Sequence, residues 1–196
     1  PVVMGQETAS SPVLADLDRD GAAEIVTGAD AIYVWHGDGS ELRDGDGSAI
    51  TSGVFALDGV VPGRRGYHST PAVADLDLDG DLDLVGAAWE QAQVFAWHRD
   101  GSLLPGWPRS LGGPPNWGSP AVGDLDGDGA PEVVVVGGAA GTVYAWHADG
   151  REVRDGDGDP GTDGVLVATA GAAYSFAALA LGDLDGDGRL DVVVGS

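Results

Sequence analysis

The chain has 196 residues, no cysteine and no lysine, and its 9 arginines face 32 acidic residues for a formal net charge of −23. Such a charge repels a phosphate backbone and an anionic membrane surface, which excludes nucleic acid as a partner; zero Cys removes disulfides, thiolate catalysis and Cys-based zinc sites together. No apolar run approaches the ~18 residues of a membrane span, so no membrane insertion is expected, and Pro1 does not open a native reading frame, so a processed chain or a segment of something longer is expected.

In chain order, the predicted elements are short apolar runs punctuated by turn residues, with 34 Gly and 11 Pro in all. Residues 12–17 (PVLADL) read as a first strand running into the acidic string DLDRDG, 23–28 (AEIVTG) as a second, and 32–37 (IYVWHG) as a third that ends in a turn. The stretch around 54–58 reads as a fourth. The pattern then restarts at 71–76 (PAVADL), 82–87 (LDLVGA) and 94–98 (VFAWH), and again at 120–125 (PAVGDL), 131–137 (PEVVVVG) and 143–147 (VYAWH). A last copy holds 179–184 (LALGDL) and 190–195 (LDVVVG). No helical period is sustained, so the fold class is all-β.

The first aspartates of the acidic strings, Asp16, Asp75, Asp124 and Asp183, are spaced 59, 49 and 59 residues apart; the longer step of 108 recurs, so the chain is two copies of a two-unit block. About four short antiparallel strands per unit fit a β-propeller blade. The expected architecture is one domain over 1–196 with three full blades and part of a fourth: 1–10 (tail of a preceding blade), 11–68, 69–117, 118–176 and 177–196. A sandwich demands no repeat, and a β-helix coil is shorter than these units. Apolar runs at 1–5 and 190–195 would be unpaired edges, so further blades in the same polypeptide or self-association are expected.

The four acidic strings share one template. Asp16, Asp18, Asp20 and Glu24 occupy positions 1, 3, 5 and 9, as do Asp75, Asp77, Asp79 and Asp83, then Asp124, Asp126, Asp128 and Glu132, then Asp183, Asp185, Asp187 and Asp191; position 6 is always Gly. Position 7 (Ala22, Asp81, Ala130, Arg189) varies freely, as expected of a residue that offers only its carbonyl oxygen. Carboxylates at alternate positions of a tight turn converge on one point and form a hard, oxygen-only cage suited to Ca²⁺. As solvated turns they would be costly. Four carboxylates make six pairs, and at ~5 Å in water each repels by roughly 0.8 kcal/mol, about 5 kcal/mol per loop before screening. An EF-hand is rejected, because position 12 is Thr27, Gly86, Val135 or Val194 where a bidentate Glu is needed.

This repeated DxDxDGxxD/E loop between two apolar strands resembles the FG-GAP/VCBS repeats of integrin α-subunit propellers and their bacterial relatives. The resemblance implies a propeller with Ca²⁺ in the loop after each blade's first strand, an extracellular or cell-surface setting, and a protein or glycan ligand on other loops. A fifth candidate site, Asp155, Asp157, Asp159 and Asp163, keeps the 1, 3, 5, 9 spacing but has Pro160 where the others have Gly. Four Ca²⁺ are thus expected, with a fifth possible. His36, His98 and His147, each after a Trp, read as structural strand-end residues, and Tyr67, His68, Asn116, Trp117, Tyr174 and Phe176, on the opposite face, either as caps of the propeller's hydrophobic funnel or as ligand-binding residues. No catalytic constellation is present, so the chain is expected not to be an enzyme. The reading is a calcium-stabilised extracellular structural or adhesion module; the alternative is the propeller domain of a secreted polysaccharide-degrading enzyme.

Overall fold

The computed structural model of the chain describes residues 8–48, 53–58, 66–112, 118–138, 141–154, 156, 158, 164–167 and 179–195. β-branched and aromatic runs bounded by glycine turns fold here as short strands. The first sheet is an antiparallel meander of β1 (Val13–Ala15), β2 (Glu24–Gly28), β3 (Ile32–Trp35) and β4 (Val54–Ala56). The second holds β5 (Ala72–Ala74), β6 (Asp83–Ala88), β7 (Gln93–Trp97) and β8 (Arg109–Ser110) in the same order, and the third β9 (Ala121–Gly123), β10 (Glu132–Gly137), β11 (Thr142–Trp146) and β12 (Val165–Val167). β13 (Leu179–Gly182) and β14 (Asp191–Val194) pair as a fourth, two-stranded sheet. The protein is all-β, built of propeller-like blades. Among the described residues no helix is long and apolar enough to cross a membrane.

The blades pack face to face. β1 lies against β5, β5 against β9 and β9 against β13, so the first strands stand side by side as a propeller's inner strands do. Side chains alternate across each sheet. Val133 and Val135 join Leu76, Val85, Leu104 and Trp107 of the second blade, whereas Val134 and Val136 turn the other way, toward Leu179, Leu181 and Val192 of the fourth. A strand covered on both faces has no polar side to show, which is why PEVVVVG carries no alternation. Between the first two blades, Ile32, Val34 and Phe55 meet Tyr67, Leu84, Phe95 and Trp97. Each such side chain contributes about 1.5–3 kcal/mol on burial.

The tryptophans of β7 and β11, Trp97 and Trp146, anchor these interfaces, whereas Trp35 of β3 packs among residues of its own blade. Trp146 stacks on Tyr144 with centroids 5.5 Å apart and meets the edge of Trp107 at 5.9 Å. Trp107 in turn donates its indole N–H to the Ala148 carbonyl across the blade junction, at 2.7 Å. Room for the Trp35 and Trp146 rings comes from Gly53 and Gly164, where an added Cβ would lie 1.9 and 2.0 Å from the indole nitrogen. Both glycines also have positive φ.

Tyr67 does not belong to a ligand-binding face. It is fully buried, packs edge-on against Phe95 and Trp97 at 6.1 and 5.7 Å, and donates its hydroxyl to the Asp58 carbonyl. His68 is half-buried. Loop tyrosines and exposed aromatics look alike in a sequence, and only the neighbouring blade covers this one. Asn116, Trp117, Tyr174 and Phe176 lie outside the described residues.

Candidate metal centre

Each acidic string is the turn between the first and second strands of its blade, β1–β2, β5–β6, β9–β10 and β13–β14. Two backbone positions make the turn tight. Position 6 is left-handed in all four loops (Gly21, Gly80, Gly129 and Gly188, φ 88 to 93), and so is position 4 (Arg19 φ 63, Leu78 φ 60, Gly127 φ 82, Gly186 φ 81). Glycine adopts that conformation without strain, whereas Arg19 and Leu78 adopt it at some cost. Arg19 has a visible return: its guanidinium reaches Asp81 of the next blade at 3.1 Å, and Arg99 holds the same carboxylate at 2.9 Å.

The carboxylates fold inward on shared backbone donors. Position 1 accepts the N–H of the position-6 glycine: Gly21 to Asp16, 3.1 Å; Gly80 to Asp75, 3.0 Å; Gly129 to Asp124, 3.0 Å; Gly188 to Asp183, 3.0 Å. Position 3 accepts the N–H of position 5: Asp20 to Asp18, Asp79 to Asp77, Asp128 to Asp126 and Asp187 to Asp185, at 3.1 to 3.2 Å. Position 5 accepts the N–H of position 7, from Ala22, Asp81, Ala130 and Arg189, at 2.7 to 2.8 Å. Position 9 accepts the N–H of position 2, from Leu17, Leu76, Leu125 and Leu184, at 2.7 to 3.0 Å. The same four bonds therefore build all four cages.

These bonds leave one oxygen of several carboxylates free. Asp16 Oδ1 and Asp75 Oδ1 are buried without a hydrogen-bond partner, and so is Asp83 Oδ1. A buried anionic oxygen without a donor is costly, and a divalent cation at the centre of the turn would satisfy it. Ligating atoms of Asp16, Asp18 and Asp20 lie within 4.8 Å of one another, as do those of Asp75, Asp77 and Asp83. The donor set is oxygen-only and anionic, so the residues present fit a hard cation. Asp155, Asp157, Asp159 and Asp163 of the fifth candidate lie outside the described residues.

The histidines sit at the ends of the third strands as the sequence reading has them, but beside the acidic loops, a neighbour that reading did not name. Antiparallel order brings the end of each third strand back to the turn after the first, so His36, His98 and His147 stand beside the acidic loop of their own blade. Their Nδ1 atoms lie 3.2 Å from Glu24, 3.3 Å from Asp83 and 3.0 Å from Glu132. Counting strands from the loop to the W-H pair, two in each blade and so out and back once, was the signal that could have found them.

Burial pushes the Asp83 carboxyl up to about 6, with the Asp77 charge adding to the shift and the Leu76 N–H and His98 opposing it. Glu132 is raised for the same reasons, burial first and Asp126 among them. For Asp83, between its ordinary value of 3.8 and about 6, the folded state holds a proton that the unfolded state has released. Stability therefore falls as pH rises through that window. Asp38, Asp100 and Asp149 are shifted downward by bonds from residues 40, 102 and 151, so their contribution changes only at lower pH. In excess chelator the protein should melt higher at pH 5 than at pH 7. A higher melting temperature at pH 7 would mean that Asp83 ionises in the fold without cost.

Beside the loops, a groove of about 490 Å³ runs between the second and third blades, with Leu76, Leu78 and Leu104 facing Asp126, Asp128 and His147. A family model described as an FG-GAP-like repeat matches residues 75–135 and again 124–194. Each match starts at the first aspartate of one acidic loop and runs through the next loop into the strand that follows it. No curated protein matches the chain.

Proposed function

Because the chain belongs to the FG-GAP-like repeat family, we propose that it is a calcium-stabilised, non-enzymatic propeller module that serves structure or adhesion outside the cell and binds a protein or glycan partner. The observation that carries this reading is the repetition of one cage in four blades, with buried, unpartnered oxygens on Asp16 and Asp75 aimed into it. Six to eight oxygen ligands, carboxylates and carbonyls among them, are the preference of Ca²⁺. Extracellular modules of this kind bind at ~10⁻⁴–10⁻³ M, which saturates outside the cell and not in a cytosol. Positions 1, 3, 5 and 9 with the position-7 carbonyl supply the ligands in each loop. Repeats of this family suit ligand binding, and loops on a regular scaffold are where specificity is placed. On the fourth blade Leu184, Val193 and Val194 are exposed. That apolar face is where further blades or a second copy would pack.

Elemental analysis of protein equilibrated by dialysis in about 10 mM Ca²⁺, well above the expected dissociation constants, should find four to five Ca per chain after the calcium of the dialysate is subtracted. A chain that carries none ends the calcium reading. A glycan array combined with an assay for unsaturated or reducing-end products tests the rest, since clear turnover would replace the adhesion reading with that of a secreted polysaccharide-degrading enzyme.

A further inference from the structure

We infer that His36, His98 and His147 are positioning residues of the metal cages, each gripping the position-nine carboxylate so that it stays oriented to close its loop. The inference rests on the calcium reading and deepens it. The position-nine groups Glu24, Asp83 and Glu132 are fully buried, while the imidazoles beside them are partly open. One oxygen of each carboxylate already takes the backbone N–H of position 2, and the histidine approaches the other. An ionised carboxylate only accepts, so in the first and third blades Nδ1 carries the hydrogen and donates it, to Glu24 and Glu132; His98 stands 3.3 Å from Asp83 without a formed bond, one small adjustment from the same contact. The same Nδ1 stands 3.9 Å from the position-3 carboxylate in the first two blades, Asp18 and Asp77. In the third, ligating atoms of Asp126, Asp128 and His147 fall within 4.8 Å of one another. Each ring thus spans two members of its cage.

The ring is itself held rigidly. The N–H of His36, His98 and His147 donates to the carbonyl of residue 40, 102 and 151, and each histidine carbonyl takes the N–H of Gly39, Gly101 or Gly150, all at 2.8 to 2.9 Å. Asp38, Asp100 and Asp149 close the same turn by accepting the N–H two residues on. The repeated WHxDG string is then one device: Trp locks the strand into the core, Asp-Gly fixes the turn, and His is delivered from the strand end onto the cage. Outer partners that orient ligating groups typically change metal affinity 10–100-fold.

Calcium titration by calorimetry on the metal-stripped chain tests this, with His147→Ala, His147→Asn and His36→Ala beside the wild type and each protein also melted in chelator. His147→Ala and His36→Ala should each lower the affinity of one site by 10–100-fold relative to the wild type. His147→Asn, whose amide N–H can stand where Nδ1–H stood, should restore most of it. The gap between calcium-loaded and chelated melting temperatures should narrow with the affinity loss and widen again in the Asn variant. Alanine variants that bind as the wild type does, or whose loss appears equally in chelator, overturn the inference while the calcium reading stands. A wild type that binds no calcium removes both.

Discussion

Chelation should lower the melting temperature of this protein by well over 10 °C. At free Ca²⁺ ten to a hundred times the dissociation constant, one site contributes about 1.4 to 2.7 kcal/mol by mass action. Four sites then contribute roughly 6 kcal/mol or more, against a total stability of ~5–15 kcal/mol. For a chain of this size each kcal/mol moves the midpoint by about 2–4 °C. Removal of the ions also restores the repulsion among carboxylates packed within 4.8 Å in each loop, and leaves oxygens such as Asp16 Oδ1 and Asp75 Oδ1 buried without partners. Thermal unfolding followed by circular dichroism with and without excess EGTA reads the effect directly. Asp126→Ala should reproduce a fraction of it in saturating Ca²⁺, since it removes one ligand from one of four cages. Superimposable curves with and without chelator would defeat the cage interpretation outright.

The second large effect belongs to the core. Trp146→Ala should cost about 3–5 kcal/mol, the usual loss for truncating a buried large aromatic side chain. Trp146 is fully buried, stacks on Tyr144 and meets Trp107, which is itself tied to the third blade through the Ala148 carbonyl. The deletion opens a cavity where two blades meet, so both lose support. Trp146→Phe should cost distinctly less: it keeps a stacked ring and removes an indole N–H that is buried without a partner. Denaturant midpoints in saturating Ca²⁺ would measure both. A loss under about 1 kcal/mol in the alanine variant would mean that the blades do not interlock through this ring.

Arg19 and Leu78 show where local reading stopped short. Position 6 was legible as a left-handed glycine because all four loops spell it, but position 4 reads Arg, Leu, Gly and Gly, and the two glycines alone hinted at the conformation the other two residues are forced into. The reason Arg19 is tolerated, its pairing with Asp81, involves a residue 62 positions away on another blade. Tyr67 stayed open between a buried cap and a binding residue for the same reason, since only the arrival of Phe95 and Trp97 against it decides for burial.

The sequence by itself determined the repeat, the all-β class and the membership of each acidic cage, because these rest on local spacing: side chains two apart on a tight turn converge whatever surrounds them, and apolar runs between glycines pair with their neighbours. Only the tertiary structure decided what faces each cage and each tryptophan. A histidine 12 to 15 residues from its carboxylate, as His36 is from Glu24 and His147 from Glu132, meets it across a single β-hairpin, β2–β3 or β10–β11. Trp146 meets Trp107 only because adjacent blades stack, sending alternate side chains of one strand to different neighbours. Contacts between blades, unlike the histidine contacts within one hairpin, depend on how separate sheets are placed, and no local pattern of residues encodes that placement.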